Sequence, residues 1–212
     1  MSTLKDKQDS RITIPAPDIR TMRVEIVGTA PLMIAKFSEK AKALMRSKME
    51  AGSQAKKGKT RDSRDFHADF MGARHISTEG WDGIAAPAFR SAMISACRLV
   101  GFKMTVAKLS VFIVQDGIDA DDGTPLVRIL GDEPEINEMM VRNATGVADI
   151  RIRPMWREWG AVLTMKYDAQ QFNEQDVVNL LYRAGAQVGV GEGRPDSKSS
   201  AGLGFGTFTI RS

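Results

Sequence analysis

The chain has 212 residues, a net charge of +4, and 42% hydrophobic and 26% charged residues. This composition is ordinary for a globular domain and excludes wholesale disorder, collagen and coiled coil, and no apolar run reaches the ~18 residues of a membrane span. One cysteine, Cys97, forms no internal disulfide, and with only two histidines almost no zinc ligand set remains. The expectation is a cytoplasmic protein without metal or cofactor.

Residues 1–20 are polar, lack an apolar signal-peptide core, and read as a flexible tail stiffened at Pro15-Ala16-Pro17. Residues 21–212 read as one domain with excursions at about 51–80 and 116–148. Met22, Val24 and Ile26 alternate with Arg23, Glu25 and Val27, which predicts a strand that closes near Pro31. Ser38 to Glu50 reads as a helix with Ala41, Leu44, Met45 and Met49 on one side. From Ala51 to Arg64 no hydrophobic period survives, so this is expected to be a long basic loop, followed by a short helix over Phe66 to Arg74.

Pro87 opens a helix whose stripe is Phe89, Ala92, Met93, Ala96, Cys97 and Val100, with Gly101 as its stop. Leu109 to Val114 is apolar on both faces and predicts a central strand. An acidic stretch follows, with turn signals at Asp116-Gly117 and Asp122-Gly123. Asp149 to Asp168 reads as two strands around Trp156 to Gly160. Asn173 is the expected N-cap of a helix with the stripe Val177, Leu181, Ala184 and Val188. A glycine-rich loop, Gly189 to Gly206, leads to a last strand with Phe208 and Ile210. Stripped of its excursions the order is β-α-β-β-α-β, an α+β, ferredoxin-like (RRM-like) core with a basic loop and an acidic insertion. Such a core leaves one sheet face open, where RNA-recognition folds lay single strands.

Charge is unevenly placed. Lys36 to Arg64 holds ten basic and three acidic residues, and Asp116 to Glu138 holds eight acidic and one basic. A bipolar molecule is expected, with a polyanion groove and an acidic face turned to water or to a neighbour's basic segment. Contact of that second kind closes into a ring or continues as a helix. Asp116, Asp119, Asp121 and Asp122 lack the spacing of a calcium loop.

In the glycine loop, Ser197 precedes Lys198-Ser199 where a P-loop needs glycine, and no G-x-G-x-x-G window opens a helix. Exposed backbone N–H groups beside Arg194 and Lys198 suit phosphates. The expected phosphate contacts are Lys56, Lys57, Lys59, Arg61 and Arg64, then Arg90 at the start of the helix, and Arg194 and Lys198. Phe66 and Trp81 are candidates to stack on bases or to join the core. His67, among Asp65 and Asp69, and His75, beside Arg74, are weak candidates for acid–base catalysis. Neither fits a catalytic motif, so binding without catalysis is expected. Cys97 reads as an inert core thiol, and the methionines as core filler.

Three stretches resemble one family. Gly189-Val-Gly-Glu-Gly-Arg194 followed by Gly202-Leu-Gly-Phe-Gly206, directly before the last strand, resembles the glycine-rich loop of the RAMP superfamily, the RNA-binding proteins of CRISPR-Cas systems. Gly28-Thr-Ala-Pro-Leu-Met33 and Ile84-Ala-Ala-Pro-Ala-Phe-Arg90 resemble two further segments of its backbone subunits. Pro195 to Ala201 lengthen the loop relative to the family pattern. The resemblance implies a ferredoxin-like fold and RNA contacts through Gly191, Gly193, Gly202 and Gly204. It also implies one of two activities: a subunit that assembles along a strand, or a metal-independent endoribonuclease. A stand-alone relative in a phage or mobile element is compatible with it. The preference for RNA over single-stranded DNA follows from the resemblance alone. A third possibility from the charge pattern is a homo-oligomeric assembly protein without nucleic acid.

Overall fold

The computed structural model describes residues 14–37, 39–51, 64–142, 148–197 and 202–211. In chain order these form β1 (Ile19–Gly28), β2 (Leu32–Met33), α1 (Glu39–Ala51), α2 (Phe66–Gly72), β3 (His75–Ile76), β4 (Asp82–Ala85) and α3 (Ala86–Ala96). Then come α4 (Met104–Ser110), β5 (Val111–Val114), β6 (Gly117–Ile118), β7 (Pro125–Arg128), β8 (Glu135–Arg142), β9 (Ala148–Trp156), β10 (Gly160–Asp168), α5 (Glu174–Arg183) and β11 (Phe208–Ile210). The fold is mixed α+β, with three antiparallel sheets ordered β11-β1-β10-β5, β2-β9-β8 and β3-β4-β7-β6.

The alternation in β1 places Val24 opposite Leu163 and Ile26 opposite Ala161 of β10, and all four are buried. Helices α3 and α5 cover this face. Phe89, Ala92, Met93 and Ala96 of α3, and Val177 and Leu181 of α5, join the same core. Pro87 lies in the first turn of α3. The Asn173 side chain accepts the Asp176 N–H at 2.8 Å and caps α5, as its spacing predicts. The opposite face of the sheet presents Arg23, Glu25 and Val27 of β1 and Lys166 of β10 to solvent. The central strands carry no aromatic residue on that face, so it offers no stacking platform there.

Several expectations need correction. Leu109 to Val114 is not a central strand. Met104 to Ser110 is helical, with Ala107 and Ser110 buried and Leu109 exposed, and β5 begins only at Val111, at the edge of its sheet. The small residues three apart let the helix tuck against the core, which the unbroken apolar reading hid. Val100 is half exposed because α3 gives way at Cys97 to a 3-10 turn, whose tighter period rotates Val100 outward. Met45 and Met49 of α1 are also exposed. The two strands within Asp149 to Asp168 form, but β9 and β10 belong to different sheets.

The largest correction concerns the acidic excursion. It does not face water throughout, because the chain's own cations pair with much of it. The Lys36 ammonium, buried between β2 and α1, donates to Asp119 Oδ1 and Asp121 Oδ2, both at 2.7 Å. His75 Nδ1 lies 2.7 Å from Asp119 Oδ2, and the Asp121 N–H donates to Asp119 Oδ1. Lys42 of α1 donates to Asp122 at 2.8 Å, Arg74 pairs with Asp82 and Glu133, and Arg157 pairs with Glu135. Burial works to raise the Asp119 carboxyl, but hydrogen bonds from Lys36, the Asp121 amide and His75 hold it below the ordinary carboxylate range. Lys42 and Thr124 lower Asp122 likewise.

Two consequences are measurable. A carboxyl lowered by folding stabilises the fold above its unfolded pKa, near 4, and that contribution is lost as pH falls through the lowered native value. Acid titration followed by tryptophan fluorescence should therefore show this region loosening below about pH 4. Lys36→Met leaves the buried Asp119 without its ammonium partner, and should cost about 3–5 kcal/mol in urea denaturation, whereas Lys36→Met with Asp119→Leu should recover most of that loss.

Candidate nucleic-acid interface

Helix α5 ends in a π-turn, Ala184–Val188, and the glycine loop starts at Gly189 with φ +72°. Gly191, Gly193, Gly202, Gly204 and Gly206 also have φ between +66° and +78°, the left-handed region that glycine enters without strain. The loop is stitched rather than slack. Val190 N–H donates to Gly206 O at 2.9 Å, Leu203 N–H to Gly193 O at 2.7 Å, and Asp196 N–H to Val188 O at 3.1 Å. The segment after β1 holds it from below. Gly206 N–H donates to Pro31 O and Glu192 N–H to Met33 O, both at 2.8 Å, while Thr29 and Thr207 bond through backbone and side chain. Added side chains would collide at these crossings. A Cβ on Gly206 would overlap the Val190 carbonyl, and one on Gly191 the Met33 carbonyl.

Side chains fix the loop's two arms. Glu192 accepts from Arg151 Nη1 at 3.2 Å and Arg153 Nε at 2.5 Å, both on β9. Asp196 accepts from the Ser95 hydroxyl and from Arg98 Nη2, the latter at 2.7 Å, which ties the loop to the end of α3. The Ser95 hydrogen bond and then Arg98 hold the Asp196 carboxyl below its ordinary range. Arg194 folds back, with Nη1 donating to Gly191 O at 3.0 Å.

Between the loop, α3 and α4 lies an open groove of about 780 Å³. Arg98, Lys108 and Arg194 reach it, with the hydroxyls of Ser91, Ser95 and Thr105 and the backbone of Gly189 and Gly191. Among the described residues Asp196 is the one acid that lines it, and it is already matched to Arg98. The first turn of α3, with Pro87 and Ala88 on the groove, has neither an acidic residue nor a side-chain cap. Its positive dipole end is therefore uncompensated.

Gly191 and Arg194 thus line the groove, while Gly193, Gly202 and Gly204 build the loop behind it. Arg90 is placed elsewhere. Its guanidinium donates to Lys108 O and, at 2.9 Å, to Val111 O, and lies 4.8 Å from the Phe112 ring, closing the end of α4. Arg64 pairs with Asp69 and Asp149. Lys56, Lys57, Lys59, Arg61 and Lys198 lie outside the described residues. Phe66 is exposed with Arg64 over its ring, and Trp81 is half buried under Arg128. His67 is exposed on α2, while His75 sits in the Lys36–Asp119 cluster and not on the groove.

Reading the sequence missed Arg98 and Lys108. Arg98 stands three residues after Ser95, so helical spacing alone could have set it beside the loop-facing side of α3. Lys108 adjoins the run misread as a strand. The pairing of Lys36 with Asp119 had no sequence signal beyond a lysine following the apolar Leu32-Met33-Ile34.

No protein-family model matches the chain, and no curated protein matches it. Among the described residues no helix is long and apolar enough to cross a membrane, and no group of three or more His, Cys, Asp or Glu is placed to hold a metal ion.

The glycines can be separated by substitution. Gly204→Ala meets open space and should cost only the backbone term, about 1 kcal/mol. Gly206→Ala adds the collision and disturbs the hydrogen bonds to Val190 and Pro31, each worth about 1 kcal/mol, so its urea midpoint should fall clearly further.

Proposed function

We propose that the protein binds single-stranded nucleic acid, RNA in preference, without cutting it and with little regard for sequence. The observation that carries this reading is the convergence at one groove. The glycine loop and, in the first turn of α3, Pro87 and Ala88 line it, and Gly28 to Met33 holds the loop in place. These are the three stretches that resemble RAMP proteins, and the sequence gives no local reason for them to meet. The groove's cations, uncapped helix end and hydroxyls suit phosphate and sugar contacts, which position a strand without reading bases. A ferredoxin-like core fits the same reading. Strand order β11-β1-β10-β5, with α3 between β1 and β5 and α5 between β10 and β11, supports such a core. Repeated copies along a strand are part of the proposal, because one unit of this size spans only about 4–16 nucleotides.

One observation favours an endoribonuclease as the second reading. The Asp119 carboxylate orients His75 through Nδ1 at 2.7 Å, the arrangement of a general base. Its distance from the groove's lining weighs against it, and cleavage of labelled RNA, lost in His75→Ala, would establish it.

Binding is measured by anisotropy of a labelled single strand. Lys108→Glu with Arg194→Glu should weaken it at least tenfold, about 1.4 kcal/mol, and lower the dependence of log affinity on log salt. Replacing Lys56, Lys57 and Lys59 with Glu should do the same. Affinity that survives both sets would place the binding surface elsewhere, and no binding even at low salt would leave an assembly protein without nucleic acid as the better account.

A further inference from the structure

Among the described residues, strand β8 is the outer strand of its sheet and pairs only with β9. Such an edge offers a row of unsatisfied N–H and C=O groups, which proteins usually blunt with lysine, proline or a bulge. The segment Glu135-Ile-Asn-Glu-Met-Met-Val-Arg142 contains no lysine, proline or glycine. Residues opposite one another share a face, so Ile136, Glu138 and Met140 lie with Pro154, Ile152 and Ile150. On that face Ile136 is 51%, Met140 77% and Ile150 44% exposed.

We propose that β8 pairs antiparallel with β8 of a second copy, about a two-fold axis at Met140, joining two three-stranded sheets into one of six strands. Symmetry restricts the choice. When identical antiparallel strands pair, backbone groups alternate in direction, so the axis passes through a residue and never between two. An axis at Glu138 sets carboxylate against carboxylate. An axis at Asn137 sets Glu138 against Ile136, one at Met139 sets Glu138 against Met140, and one at Val141 sets Met140 against Arg142. An axis at Met140 sets Glu138 opposite Arg142 twice, Met139 opposite Val141, and Met140 on its own mate beside both Ile150 residues. This complementarity of charge and apolar surface with itself points to a second copy rather than a foreign strand. The contact is isologous and closed, so it makes a dimer, not a filament. It does not rest on nucleic-acid binding.

The test uses nuclease-treated full-length protein. The native thiol, Cys97, is buried and leaves an added cysteine to report alone. Mild oxidation of Met140→Cys should give a disulfide-linked dimer, since residues paired across antiparallel strands have Cα atoms about 4.5–5.5 Å apart, within disulfide reach. Ile136→Cys should not crosslink, because the two copies of position 136 stand about 26 Å apart along the strands. In sedimentation the wild type should dimerise. Glu138→Arg should raise its dissociation constant at least tenfold, and Glu138→Arg with Arg142→Glu should restore it. A wild type monomeric at every concentration, equal crosslinking at 136 and 140, or failure of the double reversal would overturn the proposal.

Discussion

An ammonium taken out of water must find acceptors that replace its hydration, or it will not stay charged. Lys36 meets that demand with Asp119 and Asp121, which stand more than eighty residues away in sequence. This one requirement fixes much else. It draws the β6–β7 turn against the strand-to-helix segment that follows β2, and so positions α1, from which Lys42 reaches Asp122. It also sets Asp119 where His75 meets it. The opposite charge excesses of the two segments therefore cancel partly within the molecule and are not displayed as two free poles.

What remains after that cancellation is more informative than the total of +4. Among the described residues, Lys108 in the groove and Arg23 and Lys166 on the open sheet face form no ion pair. The basic segment between α1 and α2 was the conspicuous feature of the sequence, but among the described residues the groove gathers its cations one each from the turn after α3, from α4 and from the loop. A phosphate site assembled that way leaves no run of lysines to notice. The two arms of the loop are also held by their own acids, Glu192 on β9 and Asp196 on α3, so its shape does not depend on an anion being present.

The parts legible in the sequence are those in which one local rule suffices. The alternation of β1 and β10, the Asn173 cap, the proline start of α3 and the stripe of α5 all follow from periods and caps. The loop's position between a helix and the last strand was legible too. Reading failed where tertiary context decides. Val100 turns outward because a helix tightens at Cys97, Leu109 belongs to a helix that small residues dock, and β8 and the short strands of the third sheet are too brief or too polar to announce themselves. Arg90 illustrates the same limit for the site. A cation at the start of a helix reads as a phosphate ligand, yet carbonyls freed at the end of α4 claim it first.

The stitching of the glycine loop separates its neck from its bow. Val190 and Gly206 close the neck, Gly193 and Leu203 close it again one step further out, and both crossings are complete without anything between Pro195 and Ala201. Closure entropy grows only slowly with length, by roughly 0.6 kcal/mol for each doubling. Residues added after Asp196, whose side chain ties the loop to the end of α3, would therefore leave the core below in register. Variation in length there gives the chain a way to change what its groove touches without renegotiating how it folds.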